Sequence, residues 1–176
     1  MHKMTRKISF LPIAIFLIII YFLFNELNKD PTLIPSPLIG KPVPKFISQT
    51  LINNSKITNN DLIGKPYILN VWGSWCYACS IEHDYFIDIY EKKTIEIYGL
   101  NYKDDRNSAI QWLEKKGNPY RISIFDNFGN IAIDLGVYGA PETFLVNKSG
   151  LIIHKHVGPI DKNYYENIVL PNIKNE

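Results

Sequence analysis

Cys76 and Cys79, the only cysteines of the 176-residue chain, have two residues between them in NVWGSWCYACS (70–80). They follow a tryptophan at the end of an apolar run. Two thiols at that spacing suit four kinds of chemistry: a redox pair, half of a metal site, a haem attachment site or a structural staple. A staple is a poor use of them, because so short a loop removes little entropy from the unfolded chain. Haem attachment needs a histidine directly after the second cysteine, and residue 80 is Ser80. Zinc or copper needs more ligands. His83 lies four residues after Cys79 on the same helical face, and His154 and His156 share one face of a strand. A site of Cys76, Cys79, His83 and a strand histidine is conceivable. Surface histidines are the simpler expectation, and no metal or other cofactor is expected.

The redox reading uses what is present. An apolar strand delivers WGSWC to a turn, and a helix starts at the first cysteine. The unpaired N–H groups and macrodipole at that helix end stabilise a thiolate. Helix N-termini and Cys-x-x-Cys pairs bring a thiol from about 8.5 down to roughly 3.5–7.5. Cys76 is then the exposed nucleophile. Cys79, one turn on and facing inward, is the resolving thiol that releases a mixed disulfide.

The elements that must position this pair follow from periodicity. YILNVWG (67–73) reads as a buried strand, and Cys76 to about Lys92 as a helix with Ile81, Tyr85 and Ile89 on its apolar stripe. IEIYGLNY (95–102) is a strand, SAIQWLEKKG (108–117) a helix closed by Gly117, RISIF (121–125) a short strand, and NIAIDLGV a short helix. ETFLV and LIIHKHV form a hairpin through Asn147-Lys148-Ser149-Gly150, and Asp161 is a candidate N-cap for a last helix. This pattern describes an α/β sandwich with a mixed sheet. Trp72 is expected in the core, Trp75 either shielding the disulfide or simply packing. Lys103-Asp104-Asp105-Arg106 reads as a solvated helix start.

Ahead of this domain, Ile8 to Phe24 is seventeen residues without a charge. As a helix it would rise about 25 Å, slightly short of a ~30 Å hydrocarbon core, with Tyr21 and polar flanks at the interface. Lys3, Arg6 and Lys7 precede it, and Glu26, Lys29 and Asp30 follow. The positive-inside rule therefore predicts a cytoplasmic N-terminus (1–7), a transmembrane signal-anchor (8–24), a tether (25–37) and a folded domain (38–176) across the membrane. A cleaved signal peptide is the rival, but the run is long and no small-residue cleavage site follows. Five prolines between Asn25 and Phe46 make the tether extended. The net charge is +2. Without the three basic residues ahead of the anchor, the rest is near neutral, which gives no electrostatic reason to expect nucleic acid.

Taken together, NVWGSWCYAC, SIEHDYF, GLNYKDDRNSAIQWLEKKGNPY and LGVYGAPETFLV resemble the DsbE/CcmG thiol–disulfide proteins of bacterial cytochrome c maturation, from about Leu38 to the C-terminus. The resemblance implies a thioredoxin-like fold behind one N-terminal membrane helix, anchored in the bacterial inner membrane with its domain in the periplasm. It implies a reductase that keeps the haem-binding cysteines of apocytochrome c reduced, directly or through another maturation component. Its electrons would come from an inner-membrane thiol reductase. Residue by residue, Cys76 and Cys79 become a redox-active disulfide pair. Ala140-Pro141 becomes a cis-proline step beside it, forming with Trp75 an edge for a peptide substrate, and Glu82 and Glu142 become acidic modulators. Without the motif both glutamates would read as surface acids. Asn70 stands where thioredoxins carry a buried acid, and Glu82 is its nearest substitute along the chain. The chain departs from its relatives at Tyr77-Ala78, where a proline is usual. Two other readings remain at this level. One is a general reductase or oxidant of the same fold. The other is a non-enzymatic module, for copper delivery or for binding unfolded apocytochrome.

Overall fold

The computed structural model describes residues 11–27 and 36–174. The expected cytoplasmic N-terminus, the first three residues of the expected anchor, and 28–35 of the expected tether lie outside the described residues. Helix α1 (Leu11–Leu27) has 17 residues and is apolar from Leu11 to Phe24, with Asn25 and Glu26 in its last turn. Among the described residues no helix is long and apolar enough to cross a membrane.

The remaining elements are β1 (Ile47–Thr50), β2 (Lys56–Thr58), a 3-10 turn (Asn59–Leu62), β3 (Tyr67–Trp72), α2 (Tyr77–Lys92), β4 (Glu96–Tyr102), α3 (Arg106–Lys116), β5 (Ile122–Asp126), α4 (Asn130–Asp134), β6 (Glu142–Val146) and β7 (Ile152–Val157). The chain ends in α5 (Lys162–Tyr164), a π-helical stretch (Tyr165–Val169) and α6 (Leu170–Lys174). The sheet has seven strands in the order β2-β1-β5-β4-β3-β6-β7. Its centre, β3–β4–β5, is parallel, and β1, β2, β6 and β7 join antiparallel. This is the mixed-sheet α/β sandwich the periodicity predicts. The hairpin β1–β2 is additional: ISQT and KIT are short, and Ile57 is their one buried residue, so no buried period marks them.

Every residue of β3 is buried, because the strand is central and covered on both faces. Successive side chains alternate faces. Ile68, Asn70 and Trp72 face α2 and α3, both on one side because both crossovers run the same way across the sheet. That core holds Cys76, Cys79, Phe86, Ile89, Leu113 and Tyr120. Tyr67, Leu69 and Val71 face the second core, with Leu100, Ile131, Leu135 and Phe144. Gly99 on β4 is required by close packing: a Cβ there would lie 2.6 Å from the Trp72 indole nitrogen and 3.1 Å from the Tyr120 ring.

The stripe that α2 buries is Cys79, Glu82, His83, Phe86 and Ile89, at helical spacings of three and four. Ile81, expected on the apolar stripe, is 60% exposed. The cysteines and Phe86 choose the face, and two ionisable residues go inward with them. The α3 helix starts two residues earlier than its apolar period predicts, because Asp105 caps it by accepting the Ser108 N–H at 2.9 Å. Asp161 caps the last helical stretch as expected, accepting from Tyr164 N–H at 2.8 Å.

Candidate active site

Cys76 is the N-cap of α2, and its sulfur accepts the Cys79 N–H at 3.1 Å. The two are joined in a disulfide. The helix start is where the sequence puts it. Exposure differs from the expectation for Cys76: it is only 5% exposed and Cys79 2%, since the sulfur turns inward toward the first turn of the helix. Cys79 remains the deeper of the two.

The loop that presents the pair is braced from the end of β4. The Asp104 carboxylate accepts Ser74 N–H at 2.6 Å, Ser74 O–H at 2.7 Å, and the Asn101 amide at 2.9 Å. Trp75 donates its indole N–H to Tyr102 O at 3.2 Å and is 54% exposed. Its ring lies across Gly73, where a Cβ would come within 2.5 Å of the indole nitrogen. Thus Trp75 neither enters the core nor hangs free, and it stands next to Cys76 at the surface. Trp72 is core, stacked at 5.4 Å on Tyr120. The KDDR run is a helix start, as read, but Asp104 in it is a clamp on the cysteine loop.

The Ala140–Pro141 bond is cis, and Ala140 packs against the core that holds both cysteines. Glu142, next in the chain, is 1% exposed and makes an ion pair with Lys155 at 2.9 Å. It also accepts the N–H groups of Tyr138 at 2.7 Å and Gly139 at 3.3 Å. Lys155, itself buried, donates to Gly136 O at 2.6 Å and lies over the Tyr138 ring. On β6, Glu142 alternates with Thr143, which faces α2, so the Glu142 carboxylate lies on the other face of the sheet. Its charge is matched by Lys155 and its work is to hold the loop ahead of Pro141.

Glu82 is 2% exposed and faces Asn70. It accepts the Asn70 amide N–H at 2.8 Å and the Ile160 N–H at 2.9 Å. Burial pushes this carboxyl up to about 7, against the pull of those two hydrogen bonds. The surface reading of both glutamates is therefore replaced by two buried acids with separate partners. Asn70 also receives the Tyr120 O–H on its carbonyl at 2.9 Å, and its amide reaches Thr143 Oγ1 at 3.3 Å.

The histidines do not gather around the sulfurs. His83 is buried, not on the surface. Its Nε2 pairs with Gly117 O at 3.0 Å, its ring meets Trp112 edge-on, and burial lowers its pKa. His154 Nδ1 pairs with Tyr164 O–H, and His156 Nε2 with Pro159 O. Among the described residues no three His, Cys, Asp or Glu side chains are grouped to hold a metal ion. Sequence reasoning passed over Asp104, Tyr120 and Lys155. Each sits in a stretch that reads as surface or core, and only the partner across the fold gives it a role.

A Cys-x-x-Cys pair at a helix N-cap, with a buried carboxylate one turn on in the same helix and Ala140 of a cis-proline loop packed on the same core, can exchange electrons and protons with another disulfide. The comparisons agree with that chemistry. The redoxin family model matches residues 38–169. The chain is 47% identical to the thiol:disulfide interchange protein DsbE of Pseudomonas aeruginosa over 169 residues, 96% of this chain and 93% of that protein. It is 44% identical to DsbE of Escherichia coli K12 over 175 residues, 96% and 94% of the two chains. Among solved structures, a secreted thiol-disulfide isomerase from Corynebacterium glutamicum matches with a TM-score of 0.66 at 24% identity, over 75% of this chain and 85% of that one. The thioredoxin domain of a thiol-disulfide oxidoreductase from Bacteroides vulgatus matches at 0.65 and 20%, over 77% and 97%. The fold is thioredoxin-like.

Proposed function

Because the chain belongs to the redoxin family, with the DsbE thiol:disulfide interchange proteins, and is a thiol–disulfide oxidoreductase, we propose that it works as a membrane-tethered, periplasmic reductant in c-type cytochrome assembly. The observation that carries the redox role is Cys76 at the α2 N-cap, with its sulfur receiving the Cys79 N–H.

In the reduced protein Cys76, as thiolate, attacks a substrate disulfide. One substrate sulfur leaves with the electron pair and takes a proton, and a mixed disulfide remains. Cys79 then gives its proton to the Glu82 carboxylate, attacks the Cys76 sulfur, and displaces the second substrate sulfur as a thiolate. That thiolate takes its proton from water, as the first leaving sulfur does, while Glu82 returns its own to solvent. The substrate disulfide gains two electrons and two protons, and the protein is left with the Cys76–Cys79 disulfide. The substrate is an apocytochrome c or another maturation component, seated along Ala140–Pro141 with Trp75 at its edge. An inner-membrane thiol reductase, itself a dithiol, restores the pair. Of the two expected acidic modulators, Glu82 is the one that bears on the thiolates, since Glu142 is matched by Lys155.

The tether rests on the uncharged run from Ile8 to Phe24 and the three basic residues before it. Helix α1 supplies about 21 Å of that span, from Leu11 to Phe24, and Ile8, Ser9 and Phe10 extend the uncharged stretch in sequence. The N-terminus is then cytoplasmic and the residues beyond the anchor periplasmic. Cys79→Ala in cells is the direct test. The attack step survives and resolution is lost, so the partner should stay bound through Cys76 and be identified by mass in the membrane fraction. Cys76→Ala should trap little. Equal trapping by both variants would undo the assignment of roles, and a partner outside cytochrome maturation would undo the pathway.

A further inference from the structure

Proton acceptance by a buried carboxylate depends on which groups face it, and here one phenol decides that. Asn70 has one carbonyl and one amino group on the same flat amide. If the carbonyl faced Glu82 it would favour the protonated acid, which can donate to it. If the amino group faces Glu82 it favours the carboxylate. The structure has the second arrangement: Asn70 Nδ2 donates to Glu82 Oε1 at 2.8 Å. The Tyr120 hydroxyl, 2.9 Å from Asn70 Oδ1, occupies the carbonyl end.

The phenol is a fixed donor. Burial, with the Glu82 carboxylate beside it, pushes its pKa well above the ordinary tyrosine value, so it keeps its proton. The ring is held by stacking on Trp72, 18° from parallel. Tyr120 and Asn70 are 5% and 0% exposed, so water does not take over either bond.

We propose that Tyr120 is a positioning residue for the resolving step: by donating to the Asn70 carbonyl it turns the Asn70 amino group onto Glu82 and keeps that carboxylate ready to accept the Cys79 proton. This rests on the oxidoreductase reading above and names a residue outside the dithiol, the proline loop and the acids. The other groups around the network are known. From α2 come the cysteines and His83, whose ring is 6.3 Å from that of Tyr120. From β6 comes neutral Thr143, and from the segment before α5 the Ile160 N–H. Among the described residues no Lys or Arg pairs with Glu82. Glu142, the nearest other acid on β6, belongs to Lys155.

The test is Tyr120→Phe in the full chain, which keeps the ring and deletes the donor. Reduction of oxidised glutathione is followed from pH 5.5 to 9, with acid quenching and mass to count the Cys76–glutathione mixed disulfide. Glu82 is titrated separately by carbon NMR or infrared difference. Losing the arrangement should raise the Glu82 midpoint by about one unit, the tenfold in proton affinity that one hydrogen bond to a charged group is worth. The mixed disulfide should then accumulate several-fold more near pH 6.5, with the two proteins converging above about pH 8.5. Asn70→Ala, which deletes the relayed donor, should move the acid limb in the same direction at least as far. An acid limb and a Glu82 midpoint unmoved in both variants would leave Tyr120 as packing only and overturn the inference. A wild-type protein that leaves oxidised glutathione unreduced across that pH range would overturn the redox reading and the inference together.

Discussion

Replacing Lys155 by methionine leaves Glu142 buried with no cation beside it. The pair is 2.9 Å apart, and the side chains are 5% and 1% exposed, so the small values measured for surface ion pairs do not apply. Breaking a buried pair from one side costs about 3–5 kcal/mol, because the remaining charge is stranded. Lys155 also donates to Gly136 O, and about 1 kcal/mol more goes with that bond. Removing both charges is a different case. In Glu142→Gln with Lys155→Met the glutamine oxygen still accepts the Tyr138 N–H, and no charge is left at that position. The double variant should therefore be more stable than Lys155→Met alone, with a coupling of about 2–3 kcal/mol. Urea unfolding of the oxidised domain from Pro37 onward measures it, and Lys155→Arg should lie close to wild type. Glutathione exchange should slow in Lys155→Met even where the domain is folded, since the Tyr138–Ala140 loop loses its anchor. Single variants each costing under about 1 kcal/mol, or a double variant no better than the single, would refute the view that this pair holds the loop.

Glu82→Gln tests the buried acid through stability. Its folded pKa of about 7 lies above the ordinary value of 4.5, so between those values the folded state binds more protons than the unfolded one and stability falls as pH rises. The wild-type oxidised domain should lose up to about 3 kcal/mol from this group between pH 4.5 and pH 8. Glu82→Gln should flatten that part of the profile, and an unchanged slope by chemical unfolding would show that Glu82 titrates normally. Asp104→Ala removes the acceptor of both Ser74 donors and should cost about 1–3 kcal/mol. It should also alter Trp75 emission and lower the rate of thiol exchange more than its stability alone explains; an unaltered emission and rate would make Asp104 a plain surface acid. The domain beginning near Pro37 should be soluble, folded and able to exchange disulfides, and a well-folded but unreactive domain would show that the N-terminal segment contributes to the site.

The central strands and the dithiol helix are legible in the sequence because they carry strong local signals. YILNVW is buried throughout, ETFLV occupies its strand residue for residue, and Cys76 begins a helix after an apolar strand. The hairpin β1–β2 carries no such signal, and neither does the inward turn of Glu82 and His83, which are polar residues on a buried stripe. Their burial depends on partners such as the Ile160 N–H, 78 residues on, and Gly117 O, 34 residues on. Spacing along the chain cannot show a contact of that range. Lys155 is the same case, one basic residue in HKH until β6 pairs with β7 and sets it beside Glu142. The family resemblance pointed to Glu82 and Glu142 together, and the fold separates them onto opposite faces of one sheet.

The long reach of these partners has a consequence for how the chain is made. Asn70 meets Thr143 across 73 residues, and Glu82 meets Ile160 across 78. Synthesis runs from the N-terminus at roughly 5–20 residues per second. The two thiols therefore emerge roughly 4 to 15 seconds before the segments that bury them, and they meet any oxidant during that interval without their cover. In a chain with three or more thiols that interval allows wrong pairings. Here Cys76 and Cys79 are the only thiols, so the one intramolecular bond an early oxidant can make is the bond the finished domain holds. Having no third cysteine protects the nascent chain before its fold can.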